Sequence, residues 1–187
     1  AAYEEAVKAA VAAGDSERVQ RYARKALGNL SGHVEVSFEI HHALIEALQF
    51  LGAGGDEIRL AVIAAHAVGK THEQLARVFI AELGRLLRKD HGVSAFLVAK
   101  AAIEHALKSG DWYLITRAYC RLALCFAESE PPRHDDARAA LMEAYLAAES
   151  SGGHAALGEY YAFLARIEDR RGRLGPALQA YERAIGE

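Results

Sequence analysis

The chain has 187 residues, of which 52% are hydrophobic, and its 22 Lys and Arg against 25 Asp and Glu give a formal net charge of -3. This composition is that of an ordinary globular protein, so it excludes disordered, collagen-like and membrane-spanning chains. Alanine, the best helix former, occurs 39 times, whereas proline occurs 3 times. We therefore predict an all-α protein, which buries its core only by packing helix against helix.

The sequence contains no run of 18 apolar residues, and its acidic N-terminus lacks the basic and apolar regions of a signal peptide. Cys120 and Cys125 are predicted to lie about 140° apart around one helix, which does not suit a mutual disulfide. These features predict a cytoplasmic protein that makes no membrane contact. The chain has no initial methionine and stops just after a helical stretch, so we expect it to be a fragment of a longer protein.

Turn signals recur at a spacing of about 40 residues. They are Gly14, Gly55, Gly92, the Pro131-Pro132 pair and Gly172. After each turn, small or apolar residues recur at i, i+4 and i+7, which is one face of a helix, and only Glu104 breaks this pattern. These sets begin at Val19, Leu60, Leu97, Ala137 and Ala177. Together the two patterns predict one domain over residues 1–187, made of five helix-turn-helix units at 1–30, 33–69, 71–109, 111–151 and 153–187.

Two unit boundaries carry signals for the start of a helix. Thr71 is followed three residues later by Gln74, which is the pattern of a capping box. Asp111 follows Gly110 and is typical of an N-cap residue. The third and fourth units are therefore predicted to begin at these two positions.

The last unit carries a family pattern most fully, in Tyr161, Leu164-Ala165, Gly172, Ala177, Tyr181 and Ala184. With the Leu83-Gly84 pair of the third unit, this pattern resembles the tetratricopeptide repeat family. Here the repeat is longer than the family's 34 residues and lacks the proline between repeats. This longer, alanine-rich form is similar to the arrays of bacterial transcription activators of the LuxR and maltose-activator kind, and to the activation domains of antibiotic-pathway regulators. The resemblance implies a right-handed α-solenoid of about five repeats.

Several kinds of chemistry lack their motifs. None of the nine histidines lies four residues from another, and His72-Glu73 begins no H-E-x-x-H motif because Ala76 stands at the last place. Gly69-Lys70-Thr71 resembles the end of a phosphate-binding loop, but Ala64 occupies the place of the leading glycine. No G-x-S-x-G nucleophile motif occurs. We predict neither a metal nor a cofactor, and no enzymatic activity.

Nucleic-acid binding is a further class that the sequence disfavours. Basic runs occur at 85–89 and 170–173. The net charge of -3 and the pI near 6.3 oppose direct contact with a polyanion, and no recognition helix is evident. We therefore expect no direct nucleic-acid contact.

The resemblance implies a concave groove lined by the first helix of each unit. Transferring the family's groove positions to this sequence predicts a partner-binding site of His42, Gln49, Arg85, Arg88, Lys89, Arg117, Arg166 and Arg170. Because guanidinium groups bind carboxylates and phosphates through paired hydrogen bonds, we expect an acidic peptide or a small anionic effector there. The alternative is that these arginines are solvated or pair with Glu82, Glu159 and Asp169.

These observations predict a non-catalytic scaffold that binds a protein or an effector, as the sensing or interaction region of a bacterial transcriptional regulator. The alternative is a free-standing adaptor that binds an acidic peptide in a basic groove. A homodimer is a further alternative, because the last helix carries apolar Leu178 and Ile185 and an uncapped solenoid end exposes apolar surface.

Overall fold

The computed structural model describes residues 38–50, 55–87 and 92–186, together with isolated positions at 9, 18, 21, 22 and 25. Every regular element in these ranges is an α-helix. The helices are α1 (Phe38–Phe50), α2 (Gly55–Val68), α3 (His72–Leu87), α4 (Gly92–Ser109), α5 (Trp112–Ala127), α6 (His134–Ser151), α7 (His154–Arg170) and α8 (Leu174–Gly186). In none of them does an apolar stretch reach the length that a membrane crossing requires. The first predicted unit lies outside the described ranges.

The predicted helix starts at Thr71 and Asp111 are confirmed. Thr71 Oγ1 accepts a hydrogen bond from the Gln74 backbone N–H at 3.1 Å, and Gln74 Oε1 accepts one from the Thr71 N–H at 3.4 Å. Asp111 Oδ1 accepts from the N–H groups of Tyr113 at 2.9 Å and Leu114 at 3.1 Å. These bonds satisfy backbone donors that the first turn of a helix leaves unpaired.

At Gly152 and Gly172 a helix ends in a glycine of left-handed conformation. Gly152 caps α6 with a φ of 62°, and Gly172 follows α7 with a φ of 70°. A residue with a Cβ is strained at such angles, so glycine permits the chain to reverse immediately after the helix. Both turns fall where the sequence predicted them.

The helices pack as successive pairs, α1 with α2, α3 with α4, α5 with α6, and α7 with α8. The second helix of each of the first three pairs also contacts the first helix of the next pair. In addition, α1 contacts α3, α3 contacts α5, and α5 contacts α7. The described part of the chain is therefore an all-helical, repeat-like array in which helices contact near neighbours in sequence.

The core follows this array as a series of clusters. Phe38, Leu44 and Ile58 belong to a cluster of α1, α2 and α3, whereas Leu124, Leu141 and Ile167 belong to one of α5, α6 and α7. More than half of the buried apolar residues in the described part are alanines. Small side chains let helix axes approach to the short end of the usual packing distance of roughly 8–10 Å.

The face that the i, i+4, i+7 pattern predicts to pack is confirmed on α6 and wrong on α4. Ala137, Leu141 and Ala144 of α6 are buried. On α4, however, Leu97 is 69% exposed and Glu104 is exposed. The buried residues of α4 are Ala95, Ala99, Ala102 and Ala106.

On α2, Ile58, Ala61, Val62 and Ala65 are buried, whereas Ala67 of the predicted set is exposed. The side chains of Leu60 and Ala64, the other two members of that set, lie outside the described part of the chain. On α8, Ala177 is buried but Tyr181 is 43% exposed. Alanine-rich helices offer several faces of similar hydrophobicity, so the i, i+4, i+7 pattern alone does not select the face that packs.

Candidate functional site

Charged side chains of the odd-numbered helices pair with one another between neighbouring helices. Arg77 of α3 lies 3.7 Å from Glu39 of α1 and 2.6 Å from Glu73 of its own helix. Arg117 of α5 donates to Glu159 of α7. We call this the odd-helix surface, formed by Glu39, His42, Glu46, Glu73, Arg77, Tyr113, Arg117, Glu128, Glu159, Arg166 and Arg170.

At the α1 end of the odd-helix surface, two predicted site residues make contacts within the fold. His42 stacks on Phe38 with ring centroids 5.9 Å apart, and burial lowers the pKa of His42 despite the nearby Glu46 carboxylate. Gln49 Nε2 donates to the Ala81 carbonyl of α3 at 3.0 Å. His42 therefore favours its neutral form, and Gln49 joins α1 to α3.

In the middle of the surface, Arg117 joins α5 to α7. Its Nε lies 3.2 Å from Glu159 Oε1, and its guanidinium lies 5.5 Å from the centroid of the Tyr113 ring. Burial is the main cause that raises the pKa of Tyr113. The Arg117 side chain is thus held in place by an ion pair and an aromatic ring, and it is 24% exposed.

At the α7 end, two arginines share one carboxylate. Glu128 Oε1 accepts from Arg166 Nη2 at 3.1 Å and lies 3.4 Å from Arg170 Nη2. The Arg166 and Arg170 side chains are 44% and 61% exposed, whereas that of Glu128 is 17% exposed. Asp169 forms no ion pair with either arginine. Two cations against one carboxylate leave one positive charge open to solvent at this end.

Arg85, another predicted site residue, is buried instead of facing a groove. Its Nε and Nη2 donate to the two carboxylate oxygens of Glu82 at 2.7 Å and 2.5 Å. Arg88 and Lys89 lie outside the described residues.

The described arginines of the predicted site are thus all paired with carboxylates, so the expected excess of basic charge is confined to Arg166 and Arg170. Pairing with Glu82 and Glu159, the alternative drawn from the sequence, is confirmed. Glu128, which the sequence analysis missed, is the partner at the α7 end in place of Asp169. The bonds from Arg117 and Arg166 reach 42 and 38 residues along the chain. A search for carboxylates one repeat away from each arginine could have found Glu128 as well as Glu159.

A second site, which the sequence analysis did not predict, is a cavity of about 620 Å³ between α6, α7 and α8. Its wall includes Tyr145, Tyr160 and Tyr161, whose rings contact one another at centroid distances of 5.3 Å and 5.1 Å. The helical spacing of these tyrosines is typical of aromatic rings packed between helices. Their helical spacing alone did not show that α6 and α8 stand apart over α7.

The two thiols are unsuited to nucleophilic catalysis. Cys120 and Cys125 are both buried and free. Burial raises the pKa of the Cys120 thiol well above its usual range and that of Cys125 to about 12. Both thiols are therefore protonated at neutral pH, the form that does not act as a nucleophile.

Two histidines approach each other between α3 and α4. His72 Nδ1 lies 2.8 Å from His105 Nδ1, so the Nδ1–H of one ring donates to the Nδ1 of the other. Among the described residues, no three His, Cys, Asp or Glu side chains come together as a metal site would need.

Compared with known proteins, the chain matches no protein-family model, no curated protein and no solved structure. The resemblance to tetratricopeptide repeats therefore rests on the pattern of the sequence. The odd-helix surface and the cavity between α6, α7 and α8 are the features of the fold that bear on its function.

Proposed function

We propose that the chain is a non-catalytic binding scaffold of tetratricopeptide-like helix pairs stacked in a right-handed solenoid. The observation that carries this proposal is the packing of α1, α3, α5 and α7 side by side. In a helical-repeat protein such packing makes the first helix of each pair part of one extended surface, which is where these proteins bind their partners. The odd-helix surface has this position.

The open charge at Arg166 and Arg170 favours a partner with an acidic segment. The other described arginines of the odd-helix surface are already paired with carboxylates. These ion pairs hold side chains in place and leave little positive charge to attract an anion. Arg166 and Arg170, in contrast, are exposed and share the single Glu128 carboxylate. A carboxylate of the partner can take the donors that Glu128 leaves unused, in charge-assisted hydrogen bonds.

In the first form of this proposal, the scaffold is the sensing or interaction region of a bacterial, cytoplasmic transcription regulator. The sequence resemblance supports this form. A free-standing adaptor for acidic peptides is the second. The intact mass and flanking sequence of the native gene product separate the two. A larger product with a DNA-binding segment supports the regulator, whereas a product near 20.2 kDa contradicts it and supports the adaptor.

A second copy of the chain is a further candidate partner, because α8 presents an apolar stripe to solvent. Leu174, Leu178, Tyr181 and Ile185 are all exposed and recur at i, i+4, i+7 and i+11, which is one side of a helix. Sedimentation velocity over a range of concentrations tests this. Self-association that L178E/I185E abolishes supports the homodimer, and a monomer at every concentration contradicts it.

A further inference from the structure

The cavity between α6, α7 and α8 carries an excess of positive charge. Its lining includes Arg138, Arg171, Arg173 and Arg183, but only two acidic residues, Asp135 and Glu168. Glu168 is the ion-pair partner of Arg171 at 3.1 Å and of Arg173 at 3.6 Å. Arg138 and Arg183 form no ion pair with any residue in the described ranges, so two guanidinium groups at the cavity remain available to an anion.

Between these arginines the cavity wall is apolar and aromatic. Leu141 and Ile167 line it together with the three tyrosines, and the Arg183 guanidinium lies 5.5 Å from the centroid of the Tyr161 ring. The volume of about 620 Å³ falls within the usual range for small-molecule sites, roughly 300–1,000 Å³. A wall of this kind suits the flat apolar body of an organic ligand.

A buried carboxylate oxygen adds a requirement for a donor. Glu168 is 8% exposed, and its Oε1 accepts a hydrogen bond from Arg171. Its Oε2 lies 3.6 Å from Arg173 Nη1, which is beyond hydrogen-bond distance, and it accepts no hydrogen bond from the described residues. A buried acceptor without a donor is costly, and most such atoms in folded proteins are paired. A hydroxyl or amino group of a ligand in the cavity would supply the missing donor.

We propose that this cavity binds a small aromatic carboxylate that also carries a hydroxyl or amino group. Arg138 and Arg183 bind the carboxylate, the tyrosine rings contact the aromatic body, and Glu168 Oε2 accepts from the donor. The site is distinct from the odd-helix surface. At 3.6 residues per turn, the α7 residues that line the cavity lie on a different side of the helix from Glu159, Arg166 and Arg170.

Saturation-transfer NMR titrations with three hydroxylated acids test the proposal: 4-hydroxyphenylacetate, 6-hydroxy-2-naphthoate and 5-hydroxyindole-3-acetate. We expect at least one to bind saturably, with a Kd on the order of 1 mM or tighter for ligands of this size. Its neutral amide should bind at least about tenfold more weakly, because the charge-assisted hydrogen bonds are lost. Removal of the hydroxyl should weaken binding as well, and equal affinity would overturn the role of Glu168.

Two double variants locate the site on the protein. R138Q/R183Q should weaken binding of the same acid by at least about tenfold. R59Q/K100Q removes two exposed cations from α2 and α4 and should leave the affinity unchanged. Circular dichroism confirms that both variants fold. The proposal is overturned if no acid binds saturably up to about 10 mM, or if the two variants bind equally well.

Discussion

The Arg117 guanidinium of α5 donates to the Glu159 carboxylate of α7 at 3.2 Å, across 42 residues of sequence. A second bond of this kind, from Arg166 to Glu128, spans 38 residues. Both spans are close to the length of one repeat, so ion pairs link equivalent helices of successive pairs. The side chains of the odd-helix surface are consequently held in position before any partner binds.

Replacement of Arg117 by Gln should lower the free energy of unfolding by no more than about 1 kcal/mol, because a partly exposed ion pair contributes little net stability. A double-mutant cycle of R117Q with E159Q, measured by urea unfolding, should give a positive coupling energy. Lys108 and Glu104 form an exposed i,i+4 pair within α4 and serve as the comparison, for which we expect a coupling energy of no more than about 0.5 kcal/mol. A cycle without coupling between Arg117 and Glu159 would contradict the contact.

The packed face of α4 can be tested with two opposite substitutions. Leu97→Ala should change stability by less than about 0.5 kcal/mol, because Leu97 is largely exposed. Ala102→Leu should cost about 1–3 kcal/mol, since the fully buried Ala102 has no room for a larger side chain. Thermal and urea unfolding measure both. A loss of several kcal/mol of unfolding free energy in Leu97→Ala would contradict this and show that α4 packs through the face that includes Leu97.

Stability should decrease as the pH falls from about 7.5 to 5.5. Burial lowers the pKa of His41, so the unfolded chain binds a proton there, with a pKa of about 6.5, under conditions in which the folded chain does not. Stability is therefore lost as the pH falls through the unfolded pKa. In H41Q the difference between the two pH values, measured by urea unfolding, should be smaller, whereas the exposed H134Q should behave as the wild type. An unchanged difference in H41Q would contradict the burial of this imidazole.

The two thiols should react with Ellman's reagent only after unfolding. Cys120 and Cys125 are buried, and burial raises the pKa of both, so neither offers an accessible thiolate near neutral pH. In denaturant we expect both to react quickly. Ala139→Cys places a thiol at an exposed position of α6 and should react in the folded protein. Rapid reaction of the folded wild type would show that the core of α5 opens readily.

Local features of the fold were predictable because they depend on neighbouring residues. The capping box of Thr71 and Gln74, the N-cap Asp111 and the turn at Gly172 each follow from a few consecutive side chains. The packed face of α4 was not predictable in the same way. Leu97 is the larger apolar residue, but the alanines at 95, 99, 102 and 106 are what allow a close approach to α3 and α5.

The partners of the charged side chains were only partly predictable. Glu82 lies within the same helix as Arg85, and Glu159 lies one repeat from Arg117, so both were foreseen as partners. Glu128 follows the last residue of α5, outside the helical pattern, and was missed. The cavity depends on the distance between α6 and α8, which no periodicity in either helix encodes.

Binding of short fluorescein-labelled peptides rich in Asp and Glu, measured by fluorescence anisotropy, tests the proposed odd-helix binding surface most directly. We expect saturable, salt-sensitive binding that is at least about tenfold weaker in R166Q/R170Q. R59Q/K100Q should bind as the wild type does, and a neutral peptide of equal length should not bind. An absence of saturable binding, or equal affinity in the two variants, would contradict the proposed binding surface.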